Sequence, residues 1–246
     1  MGRVFASSDW HGNLAVAEKV FEFLQPDDTL YFLGDCADRG KEGAMLAQML
    51  LDDSRIKFIK GNHEIFMEEG LNDLINIGYP RNMNLWVQNG GYPTIEELSK
   101  MTDNEMRILR AQLRQLPQTM IYRNTRGQDV ILDHCGYTPS FADGNENFYP
   151  AFHEPYWDRS HFFEQWDDVH FPNTYVVHGH TPVIFIEEKF NDWNGIPTPR
   201  EAEYDFRAFH YCNGHKICLD MGTFFSGRAV LLDLDSFEEI YIEEGE

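Results

Sequence analysis

Residues 29–40 read Thr-Leu-Tyr-Phe-Leu-Gly-Asp-Cys-Ala-Asp-Arg-Gly: a β-prone run that stops at a glycine and is followed at once by two aspartates and an arginine. An apolar run of this length, bounded by turn residues, reads as a buried strand. Carboxylates at the end of a buried strand are tolerated when a cation neutralises them. Arg39 alone serves two aspartates poorly, so a metal ion beside Asp35 is the cation to test against the rest of the chain.

Working outward, the neighbouring segments alternate strand and helix. Residues 3–8 are β-prone, and Leu14, Ala17, Val20, Phe21 and Leu24 then recur at helical spacing until Pro26-Asp27-Asp28 ends them. A helix carrying Met45, Met49 and Leu50 follows the central strand, and residues 56–59 form the next one. This βαβαβ rhythm predicts parallel strands with helices on a face, an α/β fold. Residues 101–116 have the clearest helical pattern. Thr102 and Glu105 stand at capping-box spacing, Met106, Leu109, Leu113 and Leu116 form one stripe, and Pro117 stops it.

The second half reads mainly as β. A hairpin is expected around Arg126-Gly127, joining 118–123 to 130–132, and further strands at 174–177, 183–186, 216–219 and 228–232. Asn213-Gly214 reads as a two-residue hairpin turn. Residues 141–171, rich in aromatics and carrying His153, His161 and His170, read as an irregular cap, and 187–214 as a polar loop. The acidic tail 238–246 reads as solvated surface. No linker or repeat interrupts 1–246, so one domain is expected.

Composition narrows the function classes. Forty-one acidic against twenty basic residues give a net charge of −21, which repels polyanions and anionic bilayers, so neither nucleic acid nor membrane is an expected partner. No apolar run reaches membrane-spanning length. The opening MGRVFASSDWHGN enters a strand at once, which predicts no signal peptide. The cysteines at 36, 135, 212 and 218 lack CxxC spacing and read as reduced thiols, so a cytoplasmic protein is expected.

Five strand ends carry metal-ligand residue types: Asp9 and His11, Asp35, Asn62 and His63, His134, and His178 with His180. In open α/β sheets, sites form beyond the carboxyl ends of strands, where such clusters can converge. Carboxylate, imidazole and amide donors without a thiolate cluster suit manganese, iron or zinc in a catalytic setting.

The ordered motifs DWHG, GDCADRG, GNHE, HCG and HGHT, followed by LDMGT and Gly227-Arg228, resemble the calcineurin-like metallophosphoesterases. The phosphoprotein phosphatase branch, with its bacterial and phage-lambda-type members, is the most similar. The resemblance implies a four-layer αββα sandwich of two mixed sheets flanked by helices, and a binuclear centre for phosphomonoester hydrolysis. It implies that Asp9, His11 and Asp35 hold one divalent ion and that Asp35, Asn62, His134 and His180 hold the other, about 3.5–4 Å away. Manganese is the first expectation for both ions, with iron, zinc or nickel as alternatives.

The resemblance further implies a hydroxide, activated by the two metals, that attacks phosphorus in line. His63 would be the general acid, oriented by Asp38, and Arg39 and Arg159 would grip phosphate oxygens with Asn62 also facing substrate. A phosphoserine, phosphothreonine or phosphotyrosine protein is the expected substrate, and a small phosphoester is the wider class. Three rivals stand beside it: a symmetrical diadenosine tetraphosphate hydrolase, a polynucleotide or cyclic-nucleotide phosphoesterase, and a catalytically silent metal-binding scaffold. Asp38 and Glu64 tilt the balance toward the phosphatase, since the hydrolases commonly lack the former and carry aspartate for the latter.

The sequence also departs from the pattern. Ser8 replaces a usual glycine, Cys135 stands where alanine is common beside an unusual Asp133, and the Cys135 thiol makes sensitivity to oxidation an expectation. His178 matches no ligand and reads as a hydrogen-bonded neighbour of the metals.

Overall fold

The computed structural model describes residues 2–136, 157, 159, 173–194 and 204–245. Two mixed five-stranded sheets form the body. The first is built from β1 (Val4–Ser7), β2 (Thr29–Phe32), β3 (Ile56–Phe58), β9 (Arg228–Asp233) and β10 (Glu239–Glu243), in the order β10-β9-β1-β2-β3. The second contains β4 (Thr119–Arg123), β5 (Asp129–Asp133), β6 (Thr174–His178), β7 (Phe209–Tyr211) and β8 (Lys216–Cys218), in the order β4-β5-β6-β8-β7. In the first sheet β1, β2 and β3 pair parallel and β9 and β10 add on antiparallel at the β1 side; in the second β5, β6 and β8 pair parallel between the antiparallel edge strands β4 and β7.

Side-chain alternation along the strands makes the layers. On β1, Phe5 packs into one apolar cluster with helices α1 (Leu14–Phe23), α2 (Gly43–Asp52), α3 (Asn62–Ile77), α5 (Tyr92–Leu98) and α6 (Asp103–Arg114). Its neighbour Ala6 faces the other way, into a cluster shared with Val130, Leu132, Val177 and Ile217 of the second sheet. The period-2 direction of strand side chains therefore places one core between helices and sheet and another between the two sheets.

α6 forms as its sequence dictates. Thr102 accepts from the Glu105 N–H at 3.3 Å, Glu105 accepts from the Thr102 N–H at 2.7 Å, and Met106, Leu109 and Leu113 are buried.

Several expectations need correction. Residues 183–186 belong to helix α7 (Val183–Asn194), not to a strand. The Pro182 carbonyl accepts from Phe185 and Ile186, opening a helical turn, and a short Val-Ile-Phe-Ile run has no periodicity that separates strand from helix. On α2 the buried residues are Gly43, Ala44, Leu46, Ala47 and Leu50, while Met45 is exposed.

The acidic tail contains edge strand β10, in which Ile240 and Ile242 reach the helix-side core and Tyr241 the inter-sheet core. The 211–216 turn holds four residues, because the ladder ends at Tyr211 and Lys216. Cys212, Asn213 and Gly214 all take positive φ there. The polar stretch from 187 contains the rest of α7 and, near its end, β7. The aromatic segment 141–171 lies outside the described residues apart from Trp157 and Arg159. Among the described residues no helix is long and apolar enough to cross a membrane.

Candidate metal centre

The carboxyl ends of the six parallel strands, three from each sheet, open onto one place. β1 leads to Asp9 and His11, β2 to Asp35, β3 to Asn62 and His63, β5 to His134, β6 to His180 and β8 to Asp220. The loops there are conformationally strained. Of nine non-glycine residues at positive φ among the described residues, six are Asp9, His11, Asp35, Asp38, Arg39 and His180. L-residues rarely adopt this region, and such strain collects where the surrounding fold holds functional groups in place.

Backbone bonds knit the first two loops together: Asp9 N–H donates to Gly34, His11 N–H to Asp35 and Gly12 N–H to Cys36. Glu64 then ties them to α3. Its buried carboxylate accepts from the N–H groups of Asp35 at 2.8 Å, Cys36 at 2.9 Å and Gly61 at 2.8 Å. Read from sequence, Glu64 is only a mark of the branch; its bond to Gly61 is local, but its bracing of Asp35 and Cys36 has no local signal, since those partners stand 29 and 28 residues away.

Two imidazoles are aimed by their backs. His11 Nδ1 donates to the Ala37 carbonyl and His134 Nδ1 to the Leu33 carbonyl, both at 2.8 Å, so each ring presents an unprotonated Nε2 when neutral. His11 Nε2 is buried and has no hydrogen-bond partner; it lies 3.9 Å from Asp9 Oδ1 and 3.8 Å from Asp35 Oδ2. His134 Nε2 lies 3.3 Å from Asp35 Oδ2 and 3.0 Å from Asn62 Oδ1, and His180 Nδ1 is 2.9 Å from the same Asn62 oxygen. Donors bound about 2.1 Å from one ion stand about 3 to 4 Å apart, which these separations match. Asp35 Oδ2 belongs to both groups.

The electrostatics argue the same way. Burial, then the neighbouring Asp220 charge, pushes the Asp9 carboxyl well above its usual range. Asp220, itself buried with an unpartnered Oδ2, is pushed up to about 6 by burial. Burial opposes a charge on His134, yet Asp35 outweighs it and raises the imidazole to about 10. Buried carboxylates of this density need a cation, and a proton on His134 and a divalent ion are alternative ways to supply it. The orphaned His11 nitrogen and the hard-to-borderline donor set therefore fit a pair of divalent ions.

Beside the ligand positions, His63 Nδ1 lies 2.7 Å from Asp38 Oδ2, and Trp86 Nε1 donates to that oxygen at 2.8 Å. Trp86, on α4 (Met83–Gln88), is a site residue the sequence reading missed. Glycines make its place: a Cβ on Gly70 would come within 2.0 Å of its ring, and one on Gly91 within 2.1 Å. Burial opposes protonation of His63, but the Asp35 charge and the Asp38 hydrogen bond override it and leave the imidazole raised.

Arg39 is half-buried, its backbone N–H bonded to Gly90, and its guanidinium makes no hydrogen bond or ion pair with the described residues. Its charge acts on His11 and Asp220. Arg159 is exposed, with Nε donating to Thr181 Oγ1 at 3.1 Å next to His180. Its sequence neighbours Tyr156 and Asp158 lie outside the described residues.

His178 is fully buried. Its Nδ1 donates to the Gly179 carbonyl and its Nε2 accepts from Tyr211 at 2.8 Å, so it supports the loop that carries His180. His210 pairs with Glu239 and His215 with the Thr174 carbonyl.

Comparisons with known proteins agree with this architecture. No curated protein matches the sequence. Among solved structures, the chain is similar to a candidate diadenosine tetraphosphatase at 16% identity and TM-score 0.57, covering 98% of this chain and 93% of that one. A Saccharomyces cerevisiae protein serine/threonine phosphatase, itself similar to human phosphatase PP5, matches at 12% identity and TM-score 0.54 over 100% and 81%. The cold-active protein-tyrosine phosphatase of a psychrophilic Shewanella matches at 16% and 0.52 over 99% and 81%. At these identities the likeness speaks to the fold. The model of the calcineurin-like phosphoesterase family matches residues 2–219. With most of its length matched, the chain belongs to the calcineurin-like phosphoesterases, a family of metal-dependent enzymes.

Proposed function

We propose that this chain is a phosphomonoesterase that removes phosphate from phosphoserine, phosphothreonine or phosphotyrosine in proteins, with two divalent ions, manganese first among them. One observation carries the reading: the His63–Asp38 pair, capped by the Trp86 N–H, beside the unpartnered guanidinium of Arg39. Two of the structural neighbours are described as protein phosphatases, which is consistent with it.

Asp9, His11 and Asp35 would hold one ion, and Asp35, Asn62, His134 and His180 the other. The ions supply Lewis acidity and an activated water for in-line displacement at phosphorus. Asp38 fixes the His63 ring through Nδ1–H, which leaves Nε2–H to donate a proton to the departing serine, threonine or tyrosine oxygen. An alkoxide leaving group is a poor one, so this proton is worth about 10²- to 10⁴-fold in rate. Arg39 is free to pair two of its N–H groups with phosphate oxygens, a charge-assisted and geometrically selective contact, and Arg159 and Asn62 would contact the same phosphate.

The test sets the manganese-loaded protein on phosphoserine, phosphothreonine and phosphotyrosine peptides beside diadenosine tetraphosphate, with products separated by chromatography. Phosphate from the peptides with the dinucleotide intact is the expected result. ADP as the main product would overturn the substrate assignment and make the protein a dinucleotide hydrolase. No metal-dependent turnover of any phosphoester would leave the scaffold reading.

A further inference from the structure

Two departures from the family pattern meet in one place. The Asp133 carboxylate accepts from the Cys135 N–H at 3.1 Å through one oxygen and from Thr119 Oγ1 through the other. Cys135 thereby has a fixed backbone immediately after His134. Its sulfur and one nitrogen each of His134 and His180 lie within 4.8 Å of one another, all on buried residues.

The thiol is 1% exposed and makes no hydrogen bond among the described residues. The other buried thiols are engaged: Cys218 with the Thr181 and Gly179 carbonyls, Cys36 with Glu64. His180 is 6% exposed and its Nε2 is an orphaned buried nitrogen, although Nδ1 is bonded to Asn62. Two imidazoles and an unpartnered buried thiol thus stand close enough together to share one cation.

We propose that Cys135 is a thiolate ligand of the ion held by His134 and His180. This position then takes a borderline ion (zinc, cobalt or ferrous iron) where oxygen and nitrogen donors alone would also accept manganese. On binding, the S–H bond gives way to a sulfur–metal bond and the proton leaves to solvent. Thiolate sulfur favours borderline ions over hard ones, so the residue at 135 sets which metal occupies half of the centre. The inference rests on the two-ion reading above and adds a donor to it.

The experiment loads the full chain with cobalt(II) and records ligand-field and near-ultraviolet absorption, with bound metal counted by elemental analysis. Wild type and Cys36→Ala are expected to show sulfur-to-cobalt charge transfer that Cys135→Ala and Cys135→Ser lack. Equilibrated with mixed zinc and manganese, Cys135→Ala should hold zinc over manganese about tenfold less selectively than wild type, the scale on which changes around a metal site act.

Two cobalt ions bound without the charge-transfer band in wild type overturn the thiolate and leave the binuclear centre standing. A band that survives in Cys135→Ala and vanishes in Cys36→Ala overturns it in favour of the other thiol. Failure of wild type to bind cobalt overturns the metal-centre reading itself.

Discussion

Gly179 stands so close to Asp9 that a Cβ on it would lie 2.0 Å from Oδ2, inside any tolerable contact. The next residue completes the seam, since the His180 N–H donates to both Asp9 oxygens, at 3.2 and 3.0 Å. Asp9 follows β1 in the first sheet and His180 follows β6 in the second, so this contact fixes the spacing between the two halves of the ligand set. Gly179→Ala should force the loop back, destabilise the fold by about 1–3 kcal/mol and lower metal content. Thermal denaturation and elemental analysis of one preparation test both effects; full metal occupancy at unchanged stability would contradict the seam.

His63→Asn should keep its metal yet slow hydrolysis of alkyl phosphates by about 10²- to 10⁴-fold, with a much smaller effect on p-nitrophenyl phosphate, whose leaving group needs no proton. Rate constants across a series of leaving groups decide the matter. Equal losses throughout would remove His63 from the acid role.

Trp86→Phe keeps an aromatic ring between Gly70 and Gly91 but deletes the N–H that Asp38 accepts. The expected outcome is a loss of less than about 1.5 kcal/mol in stability and a roughly tenfold lower kcat, the scale of one hydrogen bond to a charged group. Steady-state kinetics beside denaturant unfolding separates the two.

Asp35→Asn should abolish activity through loss of metal, because Asp35 Oδ2 is the oxygen common to both donor groups. Elemental analysis checks it: full occupancy in the variant would refute the shared position.

Away from the centre, Asp28 ties the first strand to the α1–β2 turn. Its carboxylate accepts from Arg3 N at 2.8 Å, Arg3 Nη2 at 2.6 Å and Gln25 N at 3.0 Å. Burial acts to raise its pKa, but the Arg3 and Gln25 hydrogen bonds outweigh it and hold the carboxyl below its usual value. A depressed folded-state pKa contributes stability that is present above the unfolded pKa of about 3.9 and lost as pH falls through the folded value. Asp28→Ala should therefore cost about 2 kcal/mol near neutrality and progressively less below pH 4. Melting temperatures of both proteins from pH 3 to 7 would show the gap closing in acid; a constant gap would contradict the assignment.

Much of this was legible locally. The run from Thr29 to Gly40, the capping box at Thr102 and Glu105, and the ligand types at Asp9, His11, Asp35, Asn62, His63, His134 and His180 depend on short-range patterns. A buried strand, a capped helix and a turn that ends in a carboxylate each declare themselves within a few residues.

What the sequence did not disclose lies where partners are distant or the local signal is ambiguous. The 183–186 run has strand composition but continues as α7 from Pro182, because the four residues fit either period and tertiary packing chose between them. The glutamate-rich tail holds β10 because Ile240, Tyr241 and Ile242 find cores on both faces of β9's sheet. Trp86 reaches Asp38 across 48 positions, and Glu64 reaches Asp35 across 29.

By itself, then, the sequence determined the element types of its strongly patterned segments and the chemical kinds of donor at the strand ends. The tertiary structure decided which donors come within reach of one another, which carboxylate braces which loop, and that the Cys135 sulfur lies near nitrogens of His134 and His180. Ligand identity is a property of single residues, whereas distance and burial, which set charge and affinity, arise only when two sheets pack their strand ends together.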